Sequence, residues 1–241
     1  MENSLSVILS RQGVLKRQLQ TIATNLANAN TAGFKAEVMI FKEYKERLGE
    51  TGGSLSMVHD VTYMRDMSQG EINGTDNPLD LAISGEGFFV VQAPQGDRYT
   101  RHGAFQLDNA GQLTTLTGAP VLGAGGAPIV VPPGTERITV TRDGTFSADG
   151  QEIGKLQVVT FDAPQALFKE GDALYNAKEQ APRDAPEAEV IQGMIEGSNV
   201  RGVVEMTRMI EVTRSYQSAS KMAETEHQRI RRALDTIIGR A

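Results

Sequence analysis

The first thirty residues carry apolar side chains at a helical spacing. The steps between them alternate between three and four residues, which is typical of a coiled-coil seam. The seam positions are Leu5, Ile8, Gln12, Leu15, Leu19, Ile22 and Leu26. The other faces carry uncharged hydrogen-bonding side chains, among them Thr21, Asn25 and Asn28, which can be buried against other helices when paired. The pattern predicts a helix that ends near Asn30, either packed against other helices or docked on its own domain.

The last forty residues predict a second long helix with two apolar seams. The N-cap is expected at Ser198 or Asn199. The first seam is Val212, Tyr216, Ala219, Ala223, Glu226, Ile230, Ala233 and Ile237. The second seam is Val203, Met206, Ile210 and Thr213, and it reappears at Leu234 and Ile238. Two seams on one helix indicate neighbours on two sides, of which the first helix is one.

Between the helices, short apolar runs alternate with glycine-containing turns. The runs are 81–83, 88–91, 129–131, 138–140 and 156–159, and the turns include 95–97, 109–111, 125–126, 133–134, 143–144 and 149–150. Strands at this spacing favour an antiparallel barrel or sandwich over βαβ units.

The pattern as a whole predicts an α+β chain. A discontinuous α-helical coiled-coil domain, made by pairing the N- and C-terminal helices, joins a central antiparallel all-β domain. We expect the N-terminal helix in residues 1–35, an extended connector with one strand near Met57–Met64 in 36–78, the β-rich domain in 79–190 and the C-terminal helix in 191–241.

Charge and composition narrow the class of function. The net charge is −6, but residues 1–35 carry +3 and residues 195–241 carry +2, which leaves −11 for the middle. An acidic chain is a poor general nucleic-acid binder. The absence of cysteine rules out disulfides, thiolate zinc sites and a cysteine nucleophile. No apolar run reaches the ~18 residues of a membrane helix, and the first thirty residues lack the apolar core of a signal peptide.

No motif in the chain points to catalysis or to a cofactor. The histidines, His59, His102 and His227, have no metal-ligand spacing. Residues 150–156 resemble a phosphate loop but have three spacers instead of four and lack the hydroxyl that holds magnesium. Asp76 and Asp80 flank Pro78, which indicates a turn more than a carboxylate pair. The sequence therefore predicts no enzyme, no metal and no cofactor.

Four ordered segments resemble the bacterial flagellar rod, hook and hook-associated axial proteins. Residues 25–35 read NLANANTAGFK, 78–89 read PLDLAISGEGFF with YTRHGAF at 99–105, 193–200 read GMIEGSNV and 205–210 read EMTRMI. Within this family, PVLGAGGAPI at 120–129 with DGT at 143–145 looks most like a proximal rod protein, and the distal rod protein is the alternative. The run of Lys and Glu at 42–47 fits neither.

The resemblance implies a structural subunit. Such a protein would pair its terminal helices in an inner domain, project its β-domain outward and transmit torque across the periplasm. It would leave the cytoplasm through the flagellar export apparatus without a cleaved signal peptide. Its partners would be itself and other rod proteins, proximal and distal, with no nucleic acid and no membrane span. The expected assembly interface is Leu5, Ile8, Leu15, Leu19, Ile22, Leu26, Asn28, Val203, Met206, Ile210, Val212, Tyr216, Ala219, Ile230 and Ile237.

An alternative of another class stays open at this stage. The chain could be a dimeric β-domain binding module, for glycan or peptide, whose terminal helices only dimerise it. Such a module would stop at two subunits in sedimentation, whereas a rod subunit would not.

Overall fold

The computed structural model describes residues 2–48, 53–171 and 173–238. By their contacts, the described residues fall into two compact units. The smaller unit takes residues from 1–27, 37–64 and 201–241, and the larger unit takes residues from 28–36 and 65–200. The boundaries predicted from the sequence differ from this division, since they place 28–35 and 191–200 with the helices and keep 36–78 apart as a connector.

Two helices and two strands make up the smaller unit. Helix α1 spans Glu2–Ala27 and helix α2 spans Gly202–Ile238, and the two contact each other. α1 ends three residues before the predicted Asn30, because 28–30 form a turn. The predicted α+β class, with terminal helices and a central antiparallel β-region, is confirmed.

Strands β1 (Glu37–Leu48) and β2 (Gly53–Arg65) pair with each other in the smaller unit. The sequence predicts an extended connector with one strand in this region, so β1 is an additional finding. β1 is hard to recognise because its second half is a run of Lys and Glu, residues that are depleted in strands. Its apolar residues Val38, Ile40 and Phe41 are exposed.

The larger unit is built from short strands. They are β3 (Ile72–Gly74), β4 (Leu81–Ser84), β5 (Phe88–Ala93), β6 (Gly96–Thr100), β7 (Phe105–Leu107), β8 (Leu113–Thr115), β9 (Ile138–Val140), β10 (Thr145–Ala148), β11 (Gln151–Lys155), β12 (Val158–Thr160), β13 (Phe168–Lys169), β14 (Leu174–Asn176), β15 (Arg183–Asp184), β16 (Glu189–Gln192) and β17 (Met194–Glu196). A 3₁₀ turn spans Pro164–Ala166.

The main sheet has six strands in the order β13-β14-β6-β5-β12-β15, and all of its pairs are antiparallel. A second sheet has the order β11-β10-β9, and the pairs β16-β4, β17-β3 and β7-β8 complete the described ladders of this unit. β16 and β17, the last two strands before α2, thus pair with β4 and β3, the first two strands of this unit.

Strand β5 is buried on both faces of the main sheet. Phe89 and Val91 pack into one apolar cluster, whereas Phe88 and Val90 pack into a second cluster. Successive side chains of a strand point to opposite faces, so an uninterrupted apolar run requires a core on each side. The run at 88–91 therefore marks the centre of the larger unit.

Turn chemistry explains one predicted hairpin and the failure of one predicted strand. Asp149 and Gly150 both have positive φ, 49° and 84°, and form the two-residue turn between β10 and β11. The predicted strand at 129–131 is wrong, because in this segment only Val130 makes a bridge, an isolated one to Gln112. Pro128, Pro132 and Pro133 flank it and supply no amide donors for a ladder.

Candidate assembly interface

One face of α2 is buried within the smaller unit. Val212 and Ala219 are buried, and on α1 Ile22 is buried as well. Other predicted seam residues are half-buried: Ile8, Leu15, Leu19, Leu26, Tyr216 and Ile230. The structure therefore uses part of the first predicted α2 seam for contacts inside the chain.

A second apolar stripe on α2 is exposed. Val203, Met206 and Ile210 have relative exposures of 79%, 52% and 55%. At 3.6 residues per turn these three positions lie on the side of the helix opposite Val212 and Ala219. An exposed row of large apolar side chains is typical of a surface that another chain covers.

The side chains of Leu5 and Ile237 lie outside those that the structure describes. Asn28 follows the end of α1 and belongs to the larger unit, where its Oδ1 accepts a hydrogen bond of 3.2 Å from Thr31 Oγ1.

Asn25 joins three elements of the smaller unit. It is buried, its Nδ2 donates to the Glu37 carbonyl at 2.9 Å, and its Oδ1 accepts from the Glu37 amide at 2.9 Å. Nδ2 also lies 3.5 Å from Glu205 Oε2 on α2. The uncharged faces of α1 indicated such buried pairing, but the sequence did not identify these partners.

A buried ionic cluster, which we call the Glu196 cluster, lies in the larger unit and consists of Lys35, Arg101 and Glu196. Lys35 Nζ is 2.6 Å from Glu196 Oε1, and Arg101 Nη1 is 3.2 Å from Glu196 Oε2. Glu196 has no solvent exposure and Lys35 has 1%. The amide of Gly70 donates to Glu196 Oε1 at 2.9 Å, and Lys35 also donates to the Ser68 carbonyl at 2.7 Å.

Burial disfavours the charged forms of both Lys35 and Arg101. It lowers the pKa of Lys35, and the Glu196 carboxylate partly offsets that effect. Burial likewise lowers the pKa of Arg101, again against Glu196. A buried charge is tolerated when it is paired and hydrogen-bonded, so each cation depends on Glu196.

The Asn199 side chain hydrogen-bonds to three backbone groups next to the cluster. Its Oδ1 accepts from the Ala36 amide at 2.8 Å, and its Nδ2 donates to the carbonyls of Asp66 and Ser68 at 2.8 and 3.0 Å. The sequence predicts Asn199 only as a possible N-cap. α2 begins at Gly202 instead, and the Asn199 side chain binds preceding segments.

The Glu196 cluster was missed because its members are far apart in sequence. Lys35 and Glu196 are separated by 161 positions, and Arg101 and Glu196 by 95. Each charged residue does lie inside one of the segments 25–35, 99–105 and 193–200. A lone charged residue among small and apolar residues indicates from sequence that the charge is buried, but it does not reveal which residue pairs with it.

Asp80 takes part in a local turn. The amide of Asp80 donates to the Asn77 carbonyl at 3.0 Å, which closes a turn around Pro78. Burial lowers the pKa of His102. In the part of the chain that the structure describes, no group of three His, Asp or Glu side chains is placed to hold a metal ion. None of the described helices is sufficiently long and apolar to cross a bilayer.

Three family models match the chain in order. Residues 9–35 match "Flagella basal body rod protein", residues 82–148 match "Flagellar hook protein FlgE/F/G D1 domain" and residues 191–236 match "Flagellar basal body rod FlgEFG protein C-terminal". These matches contain all three members of the Glu196 cluster and the exposed stripe of α2.

Curated relatives match over nearly the whole length. The flagellar basal-body rod protein FlgF of Caulobacter vibrioides is 40% identical over 98% of both chains. FlgF of Salmonella typhimurium is 34% identical over 92% of this chain and 93% of its own. A rod protein FlgG, from Buchnera aphidicola, is 32% identical over 94% of this chain and 97% of its own.

Proposed function

The chain belongs to the flagellar basal-body rod proteins of the FlgF family, and we propose that it polymerises through its terminal helices as a proximal rod subunit. It is a structural protein of the flagellar basal body, not an enzyme. The 40% identity to one FlgF relative, against 32% to the FlgG relative, favours this family over the distal rod protein FlgG. Family membership also favours a rod subunit over a dimeric binding module.

The exposed stripe of Val203, Met206 and Ile210 carries the proposal for the interface. Burying one such side chain is worth about 1.5–3 kcal/mol, so the three together can drive association. The opposite side of α2 is already occupied within the chain, at Val212 and Ala219. A helix with one face turned to its own chain and one apolar face open is suited to a multi-subunit assembly.

The finer features of the proposal rest on family membership together with this arrangement. α1 and α2 would form a coiled-coil pair. Of the interface residues predicted from the sequence, the exposed Val203, Met206 and Ile210 would contact other subunits, and the buried Ile22, Val212 and Ala219 would hold α1 and α2 together within the chain. The partners would be further copies, other proximal rod proteins and the distal rod protein FlgG. The subunit would reach the rod through the flagellar export apparatus and would transmit torque in the periplasm.

Ile210→Asp tests the proposed interface. Because Ile210 is exposed, the isolated chain should keep its thermal stability, whereas incorporation into the rod should fall at least tenfold, since burying an unpaired carboxylate costs several kcal/mol. Recovery in purified basal bodies and motility complementation are the measurements. Ser218→Asp is the control, since Ser218 is also exposed but lies outside the stripe. Normal assembly of Ile210→Asp would exclude this face as the interface.

A further inference from the structure

The Glu196 cluster holds two cations against one carboxylate. Among the described residues, the other carboxylates that act on these cations are Asp66, for Lys35, and Glu86, for Arg101. Both of these carboxylates are exposed, so water screens them. Glu196 therefore supplies the buried negative charge on which Lys35 and Arg101 depend.

The cluster lies where two parts of the chain meet within the larger unit. The amide of Gly33 donates to the Glu196 carbonyl at 2.7 Å, and the amide of Asn199 donates to the Phe34 carbonyl at 3.3 Å. Residues 33–36 and 197–200 have no regular strand structure. No regular strand ladder joins the segment that follows α1 to the segment that precedes α2. Side-chain contacts from Lys35, Glu196 and Asn199 therefore add to these two backbone hydrogen bonds.

We propose that Glu196 is a latch, a side chain that holds 33–36 against 196–199 and whose loss of charge opens this junction while the β-core stays folded. We further propose that the closed latch is needed for entry into the rod, a step that rests on the proposed function. The reason for local opening is that the junction depends on few polar contacts, whereas the core clusters around β5 are apolar and do not include these segments.

The number of unpaired buried charges left in each variant predicts how far the junction opens. Glu196→Gln keeps the shape of the side chain but leaves Lys35 and Arg101 as neighbouring buried cations without a carboxylate. Lys35→Met leaves a neutral pair of Arg101 and Glu196, so its effect should be smaller. In Lys35→Met/Glu196→Gln one buried cation remains, and the double variant should therefore be less open than Glu196→Gln alone.

Amide hydrogen exchange on the full-length chain reads out the latch. In Glu196→Gln, the exchange of peptides covering 33–36, 68–71 and 196–199 should accelerate at least tenfold more than the exchange of the core peptides covering 81–83 and 88–91. Glu189→Gln is the matched control, because Glu189 and its partner Arg142 form an exposed ion pair 3.9 Å apart. This control should leave both sets of peptides unchanged.

Three results would overturn the latch. Equal acceleration of core and junction peptides would make the cluster part of the global fold, and no acceleration would show that Glu196 holds nothing closed. A larger effect of Lys35→Met than of Glu196→Gln would contradict the charge balance. If Glu196→Gln opens the junction yet reaches the rod as well as Glu189→Gln does, the proposed link between the latch and assembly is wrong. If Ile210→Asp does not impair assembly, the proposed interface is wrong instead.

Discussion

At the residue scale, Gly103 shows how closely two backbone segments approach in the larger unit. The Leu81 amide donates to the Gly103 carbonyl at 2.9 Å. A Cβ atom added at Gly103 would lie 1.6 Å from the Leu81 carbonyl oxygen. We expect Gly103→Ala to lower the free energy of unfolding by about 3 kcal/mol, because the backbone must move to relieve the clash. Denaturant unfolding measures the change.

Gly74 is the matched control for this prediction. A Cβ atom there would meet no heavy atom within 4 Å. Gly74→Ala should therefore change the free energy of unfolding by less than about 0.5 kcal/mol. Equal effects of the two substitutions would show that the approach at Gly103 is not tight in solution.

A second residue-scale prediction concerns acid. The hydroxyls of Thr141 and Thr145 donate to the Asp143 carboxylate, and these bonds, with Lys155, hold the pKa of Asp143 well below its usual 3.8. A lowered folded-state pKa adds stability that is fully present above the unfolded value and is lost as the pH falls below it. The difference in unfolding free energy between the parent chain and Asp143→Asn should therefore shrink as the pH drops below 3.8. A difference that is constant from neutral pH to strong acid would contradict this assignment.

At the scale of elements, α1 offers a test of the predicted seam. Leu19 and Gln12 are both half-buried positions of that seam. Leu19→Asp should abolish incorporation into the rod while the β-region stays folded, because it places a carboxylate at an apolar contact. Gln12→Asp should impair incorporation less, since that position is already polar. Motility complementation and recovery in basal bodies compare the two, and equal incorporation of Leu19→Asp and the parent would show that the seam is not a packing face.

Regular elements were predictable where local pattern and tertiary environment agree. A periodicity or a turn residue indicates the conformation of the two helices, of the strand at 88–91 and of the Asp149–Gly150 turn. Strand β1 was not predictable because its Lys/Glu run contradicts strand propensity, and the run at 129–131 was over-predicted because prolines interrupt its ladder.

The interface and the Glu196 cluster differ in what the sequence could reveal. The outward stripe of α2 follows from helical periodicity alone, since Val203, Met206 and Ile210 repeat at three and four residues. The cluster pairs charges from distant segments, and no local rule connects Lys35 with Glu196. Long-range pairing of this kind is set by the topology of the β-region, which a single sequence does not specify.

At the scale of the whole molecule, the Glu196 cluster sets where the larger unit can be cut. A fragment of residues 36–190 contains the main sheet and the apolar clusters on both sides of β5, so it should unfold cooperatively. That fragment lacks both Lys35 and Glu196, however, and it leaves Arg101 without its carboxylate.

A longer fragment, residues 28–200, keeps all three members of the cluster together with Asn199. Breaking a buried ion pair by removing one partner costs about 3–5 kcal/mol, so 36–190 should be less stable than 28–200 by an amount of that order. Introducing Arg101→Met separates this cause from the loss of other contacts: it should stabilise 36–190, where the guanidinium has lost its carboxylate, and destabilise 28–200, where it removes a pairing partner of Glu196. Calorimetric melting of the four fragments gives the comparison. If Arg101→Met shifts both fragments in the same direction, the difference between them comes from packing of the terminal segments and not from the buried charge.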